Sequence, residues 1–217
     1  KKGWQFCQCV LMAITYPLTL PSHKKPSNIT FRAVNTVGMS MSPFTYQQQV
    51  VAHAGQRWEC DVTLPSMARA DAEQWVAFLV SLRGQFGTFT LGDPVGASPR
   101  GSAGGTPLVN GASQIGGTLN IDGCTASQTG WLKAGDYIQL GTAGSATLHK
   151  VLADADSNGS GEVSLDIWPY IRTAPSDNAT VVVTNTIGRF RLASNEQNWN
   201  INEASIYGLT FGGIEAI

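Results

Sequence analysis

The chain has 217 residues, 24 of them glycine, and a net charge of −1; only 13% of residues are charged, against about 25% in an ordinary soluble domain. This excludes a disordered polyelectrolyte, a coiled coil and a nucleic-acid binder working through bulk positive charge. No apolar run approaches the roughly 20 residues that a membrane-spanning helix needs. At roughly 150 residues per domain the length suits one large domain or two small ones, with core enough to stand without disulfides. So little charge on a soluble chain suits a surface that lies largely against other subunits. The four cysteines, at 7, 9, 60 and 124, have no metal-site spacing and read as free thiols.

In chain order, residues 1–11 have no periodicity, and Met12-Ala13-Ile14-Thr15 reads like a protein start. Residues 1–11 are therefore expected to be an upstream or non-native extension. Ile29 to Val34 alternates apolar and polar as a half-buried strand does, and Gly38 to Pro43 is expected to break it. Thr45 to Ala52 reads as a polar strand. Gln56 to Leu64 alternates cleanly, with Trp58, Cys60, Val62 and Leu64 on one face. A turn at His53-Ala54-Gly55-Gln56 would make these two an antiparallel hairpin.

A helix is expected over Met67 to Leu82, capped by Pro65-Ser66, with Asp71 and Glu73 early and Arg83-Gly84 as the stop. Trp75, Phe78, Leu79 and Leu82 recur at helical spacing, the mark of an amphipathic helix laid on a sheet. Phe86 to Leu91 is the next strand. Gly96 to Gly117, rich in Gly, Ser, Ala and Pro, reads as a linker or long loop. Beyond it Thr118–Ile121, Trp131–Leu132, Tyr137–Leu140, Thr147–Leu152, Val163–Trp168 and Val181–Thr184 read as short strands of a small barrel or sandwich. Phe190–Leu192, Ile206–Phe211 and Ile214–Ile217 revert to the earlier character.

The expected fold is therefore mainly β: a β-sandwich with one amphipathic helix, residues 12–93 plus 187–217, interrupted by an inserted all-β domain over 94–186. That insertion carries four basic and seven acidic residues, a net −3.

Enzyme signatures are missing: no Gly-x-Ser-x-Gly elbow, no Gly-x-Gly-x-x-Gly, no phosphate-binding lysine loop and no His-Glu-x-x-His. His23, His53 and His149 have no nucleophile beside them in sequence. Asp154-Ala-Asp156-Ser-Asn158-Gly159 copies the start of a calcium loop, but position twelve is Leu165 and Glu162 falls at nine, so it reads as an acidic hairpin turn. No catalytic residue, cofactor site or metal ligand is assigned. Trp131, Trp168 and Tyr170 would be the stacking platforms of a carbohydrate-binding insertion, although aromatic residues on strands more often fill a core.

Several stretches carry a family resemblance. Ser42-Pro43-Phe44-Thr45-Tyr46-Gln47-Gln48-Gln49-Val50, the Trp58 strand, Leu64-Pro65-Ser66-Met67, Trp75 to Phe89, Leu91-Gly92-Asp93-Pro94, Leu132 to Gly141 and Val181 to Arg191 resemble tail proteins of long-tailed bacteriophages and prophages. The nearest role is the distal tail protein. The resemblance implies an amino-terminal β-sandwich with a helix that builds a ring, expected to be a homohexamer, and a second β-domain projecting outward. It further implies contacts with the tail tube protein and the baseplate hub protein, and a place at the tail tip of the virion after assembly in the host bacterial cytoplasm. No enzymatic activity, no sequence-specific nucleic-acid binding and no membrane insertion are expected. The alternatives are a carbohydrate- or receptor-binding tail module, a tail-tube or tube-terminator subunit and, last, a β-rich hydrolase.

Overall fold

The computed structural model describes residues 14–202 and 206–217. The expected extension over residues 1–11, with Cys7 and Cys9, lies outside the described residues. In order the elements are β1 (Leu18–Thr19), β2 (Asn28–Met41), β3 (Gln48–Thr63), β4 (Met67–Ala68), α1 (Arg69–Ser81), β5 (Phe89–Leu91), β6 (Gly105–Val109) and β7 (Gly116–Cys124). They continue with β8 (Tyr137–Leu140), β9 (Thr147–Val151), β10 (Val163–Ile171), β11 (Val181–Val182), β12 (Gly188–Leu192), β13 (Trp199–Ile201) and β14 (Ile206–Glu215). The protein is mainly β, with one helix among the described residues.

The larger sheet runs β1-β5-β12-β14-β3-β2, with β4 and β13 paired to β14. Its inner face follows directly from the alternation in β3: Trp58, Cys60, Val62 and Leu64 are all buried. Arg57 and Glu59 pair on the other face at 2.7 Å, where Arg32 of β2 also meets Glu59 at 3.5 Å and closes on Asp61. The helix lays the expected stripe on the inner face. Trp75, Phe78, Leu79 and Leu82 are buried, and Trp75 and Phe78 meet Phe211 and Phe89 with ring centroids 6.2 and 6.0 Å apart. Burying each such side chain is worth about 1.5–3 kcal/mol, so this layer holds the sheet together.

The second sheet is built wholly from residues between 105 and 182, in the order β11-β8-β9-β10-β7-β6. It nearly closes on itself. Val109 N–H donates to Ala179 O and Asn178 N–H to Val109 O, both at 2.9 Å, which ties β6 back to the lead-in of β11. Of the barrel and sandwich expected for this module, a barrel forms, with its own core of residues such as Leu119, Ile121, Trp131, Leu132, Ile138 and Leu165. The chain leaves the larger sheet at Leu91 and returns at Gly188, and those two residues are register partners of β5 and β12. A Cβ on Gly92 would collide with the Thr186 carbonyl oxygen, so the outgoing and incoming chains touch where only glycine fits.

Five expectations are corrected. The break at Gly38–Pro43 and the turn at His53–Gln56 do not occur. β2 runs on to Met41 and β3 begins at Gln48, paired from Met41↔Gln48 through to Asn28↔Thr63, and the reversal sits at Ser42–Gln47. Gly55 marks a bulge between Asn35 and Val37 instead of a turn, since a Cβ there would come within 2.6 Å of Thr36 Oγ1. The Gly-rich stretch 96–117 is not all loop: it contains β6, whose Val109 is fully buried. Trp131–Leu132 forms no strand, only a single bridge from Leu132 to Ala155. Finally, α1 starts after Ala68 without a side-chain cap, because Met67 is still held in the sheet opposite Tyr207, leaving Ser66 too early to cap. The strand β13 had no sequence signal.

Candidate functional site

The feature that the fold does not use internally is the outer half of β2 and β3. In the body β3 alternates between buried and half-buried residues and β2 presents Ile29, Phe31 and Val34 half-buried; from Asn35 to Gly55 every residue except Ser42 is exposed. Six residues of β2 beyond Asn35, at about 3.4 Å each, make an arm of roughly 20 Å. None of the 24 residues between Arg32 and Arg57 is Asp, Glu, Lys or Arg. Residues directly opposite in an antiparallel pair share a face. Val37 with Ala52, Met39 with Val50 and Met41 with Gln48 therefore line one face, while Gly38 with Val51 and Ser40 with Gln49 line the other. The first face is apolar yet open to solvent: Met39 is 63% exposed, and Phe44 at the tip 91%.

The barrel fixes the direction of this arm. Trp168 Nε1 donates to Asn35 Oδ1 at 2.7 Å and Tyr170 N–H to Gln56 Oε1 at 2.8 Å, so β10 clamps both strands at the arm's base. Behind the clamp Trp58 of the larger sheet packs edge-on against Trp168, centroids 4.6 Å apart, and donates from Nε1 to Leu148 O at 2.8 Å. Its own N–H reaches Glu215 Oε2 at 3.0 Å, and Glu215 Oε1 accepts from Arg172 Nη1 at 3.4 Å. One buried carboxylate thus holds β3, the C-terminal strand and the end of β10 together.

Beside this seam lies a cleft of about 410 Å³, lined among others by Thr147, His149, Tyr170, Arg172, Arg189 and Glu215. His149 is buried, which pushes its pKa down to about 4 despite a hydrogen bond to the Pro169 carbonyl, with Arg172 adding to the depression. Because that carbonyl, 2.7 Å from Nδ1, can only accept, Nδ1 carries the proton and Nε2 accepts from Thr147 Oγ1 at 2.9 Å. Both nitrogens are occupied, so this histidine is a structural pin. Arg189 Nη1 and Nη2 donate to the Gly144 and Ala216 carbonyls, while its buried Nε has no partner. The one hydroxyl set against an imidazole in the cleft is that of Thr147, on a histidine whose ring is already fixed by the Pro169 carbonyl.

The residues singled out from sequence are scattered. His23 is exposed beside Asp71 at 3.5 Å, His53 lies on the arm and His149 in the seam, so no two histidines share a site. Burial pushes the Cys60 thiol up to about 12 and that of Cys124 to about 11, which keeps both unreactive. The acidic turn spends its oxygens on backbone: Asp154 accepts from Ala134 N–H at 2.8 Å, Asp156 from Gly130 N–H at 2.6 Å, and Asn158 Oδ1 from Ser160 and Glu162 N–H, both at 2.9 Å. Among the described residues no group of three or more His, Cys, Asp or Glu could hold a metal ion.

Trp131 is corrected as a stacking platform. It is fully buried in the barrel, its Nε1 donating to Gly104 O at 2.8 Å, because the indole is needed to fill a small core. Trp168 is spent on the seam, and only Tyr170, 43% exposed, faces solvent. The arm was missed because Gly38, Pro43 and Gly55 look like punctuation; the signal available was the long run without charge.

No helix among the described residues is long and apolar enough to cross a membrane. The sequence matches no protein-family model and no curated protein.

Proposed function

We propose that this chain is a structural subunit of a bacteriophage or prophage tail, a distal tail protein forming a ring between tail tube and baseplate hub. The observation that carries the reading is the split architecture. A helix-backed sheet is interrupted between β5 and β12 and completed after a nearly closed barrel, which is the plan implied by the tail-protein resemblance of residues 42–94, 132–141 and 181–191. A rigid seam supports it too, since a subunit that positions one module relative to another needs them locked together. A net charge of −1 suits a conduit that DNA must pass without sticking, because phosphate contacts dominate nucleic-acid affinity.

Cryo-electron microscopy of particles carrying this chain tests the reading. A ring of copies between tube and hub is the expected result, with the barrel on the outside. Density repeated along the tail would make it a tube subunit, and absence from the particle would overturn the virion assignment. The carbohydrate-binding alternative loses two of its three aromatic residues to the barrel core and the seam.

A further inference from the structure

The larger sheet has two unlike edges. β2, carrying the arm, is one; β1 is the other, five strand spacings or roughly 24 Å away at about 4.8 Å each. At the β1 edge the described residues hold a second exposed apolar feature. Phe86 is 69% exposed and Ile14 40%, with the Tyr16 ring set edge-on to Phe86, centroids 6.0 Å apart. This lip is held rigidly. Tyr16 Oη–H donates to Ser81 O at 2.7 Å, and Arg191 Nη1 donates to the Phe86 carbonyl at 2.6 Å. An exposed aromatic side chain on a pinned backbone is the usual form of an interface anchor.

We propose that the apolar face of the arm docks on a second copy of this chain, against the Ile14, Tyr16 and Phe86 lip at that copy's opposite sheet edge. The inference rests on the ring reading and names its contact. Val37, Met39, Met41, Phe44, Tyr46 and Val50 are 48–91% exposed. Their exposed area comes to roughly 700 Å², close to the ≈800 Å² that each partner contributes to a standard interface. The arm carries no charge to recognise a charged partner, so its occupant is expected to present apolar side chains, as Ile14, Tyr16 and Phe86 do. Two different patches on one chain make a head-to-tail contact, the kind that closes into rings. An arm docking on another arm would be two-fold and would stop at a dimer.

The test uses the full chain and two single variants, Met39→Asp on the arm and Phe86→Asp on the lip. Both positions are exposed, so unchanged circular dichroism and melting are the control for folding. Wild type is expected to form closed assemblies as concentration is raised, seen by light scattering and native mass spectrometry; each variant alone is expected to stay monomeric. Mixed in equal amounts, the two variants are expected to give a one-to-one heterodimer and nothing larger. The intact arm of Phe86→Asp then meets the intact lip of Met39→Asp, and the remaining contact is disabled on both sides. Assembly surviving Met39→Asp overturns the proposal, as does loss with Met39→Asp but not with Phe86→Asp, which would point to arm-to-arm pairing or another docking place. A wild-type chain that stays monomeric at every concentration also overturns the contact. It leaves the virion reading standing, since that is decided by the particle images.

Discussion

In the barrel, six strands curl nearly closed and bury nearly every apolar side chain they alternate. In the arm, two longer strands alternate in the same way and bury none. The barrel's β10 alternates strictly, with Val163, Leu165, Ile167 and Ile171 inside, packed in one core with residues such as Trp131, Leu132, Ile138 and Val181. The arm's Val37, Met39 and Met41 have the same spacing and no wall. An isolated two-stranded hairpin is marginal in water at best, so the arm is held by its clamped base and its in-register ladder, not by a core of its own. Stability therefore resides in the helix-backed sheet, the barrel and the seam, and capacity for association in the arm. Substitutions in the two regions should separate cleanly.

The largest effect on folding is expected at the barrel centre. Trp131→Ala removes a fully buried indole and should cost about 3–5 kcal/mol, read as a lower denaturant midpoint. A cost below 1 kcal/mol would mean that the barrel core is far looser than described.

Next comes pH. The unfolded chain protonates a histidine near pH 6.5, whereas buried His149 resists a proton down to about 4. Above pH 6.5 both states are neutral and the full stability is present. As pH falls from 6.5 toward 4 the unfolded state alone takes up the proton, and about 3 kcal/mol is lost on the linkage relation. Chemical denaturation at steps between pH 7 and pH 4.5 should show that slope in wild type, and a flatter one in His149→Gln. A carboxylate adds to the acid limb. Burial disfavours ionised Asp136, but backbone N–H donors from Arg100, Lys133 and Gly101 and the Arg100 guanidinium outweigh it, holding its carboxyl below the usual range. Its contribution is present above the ordinary carboxylate pKa and is lost as pH falls below it.

A smaller loss is expected from the seam. Glu215→Ala leaves the Trp58 N–H without its acceptor and Arg172 without its partner, for about 2 kcal/mol. It should also loosen the barrel against the sheet, measurable as faster amide exchange at Trp58. The smallest folding effect belongs to the arm. Met41→Asp should change stability by no more than about 0.5 kcal/mol, because a half-exposed side chain that packs into no core has little to lose. A larger loss would show the arm folded against the body.

The inner-face alternation of β3, the aromatic stripe of α1, the span of β8 and the return of the chain after an insertion were all legible in the sequence, because each depends on local periodicity or on a change in composition. The candidate site was not. Gly38 and Gly55 are local turn signals, but thirteen register pairs between β2 and β3 override them, and a bulge absorbs the mismatch. β6 hides among glycines for the same reason: pairing with β7 and the tie to Ala179 make it a strand, and both partners are distant in sequence. Trp131 and Trp168 look alike as strand aromatics; packing alone sends one to the barrel core and the other to the seam. By itself, then, the sequence determined which side chains want burial and at what period. Only the tertiary structure decided which of them find a wall to bury against, since that depends on what the rest of the chain places opposite, and the arm is where it places nothing.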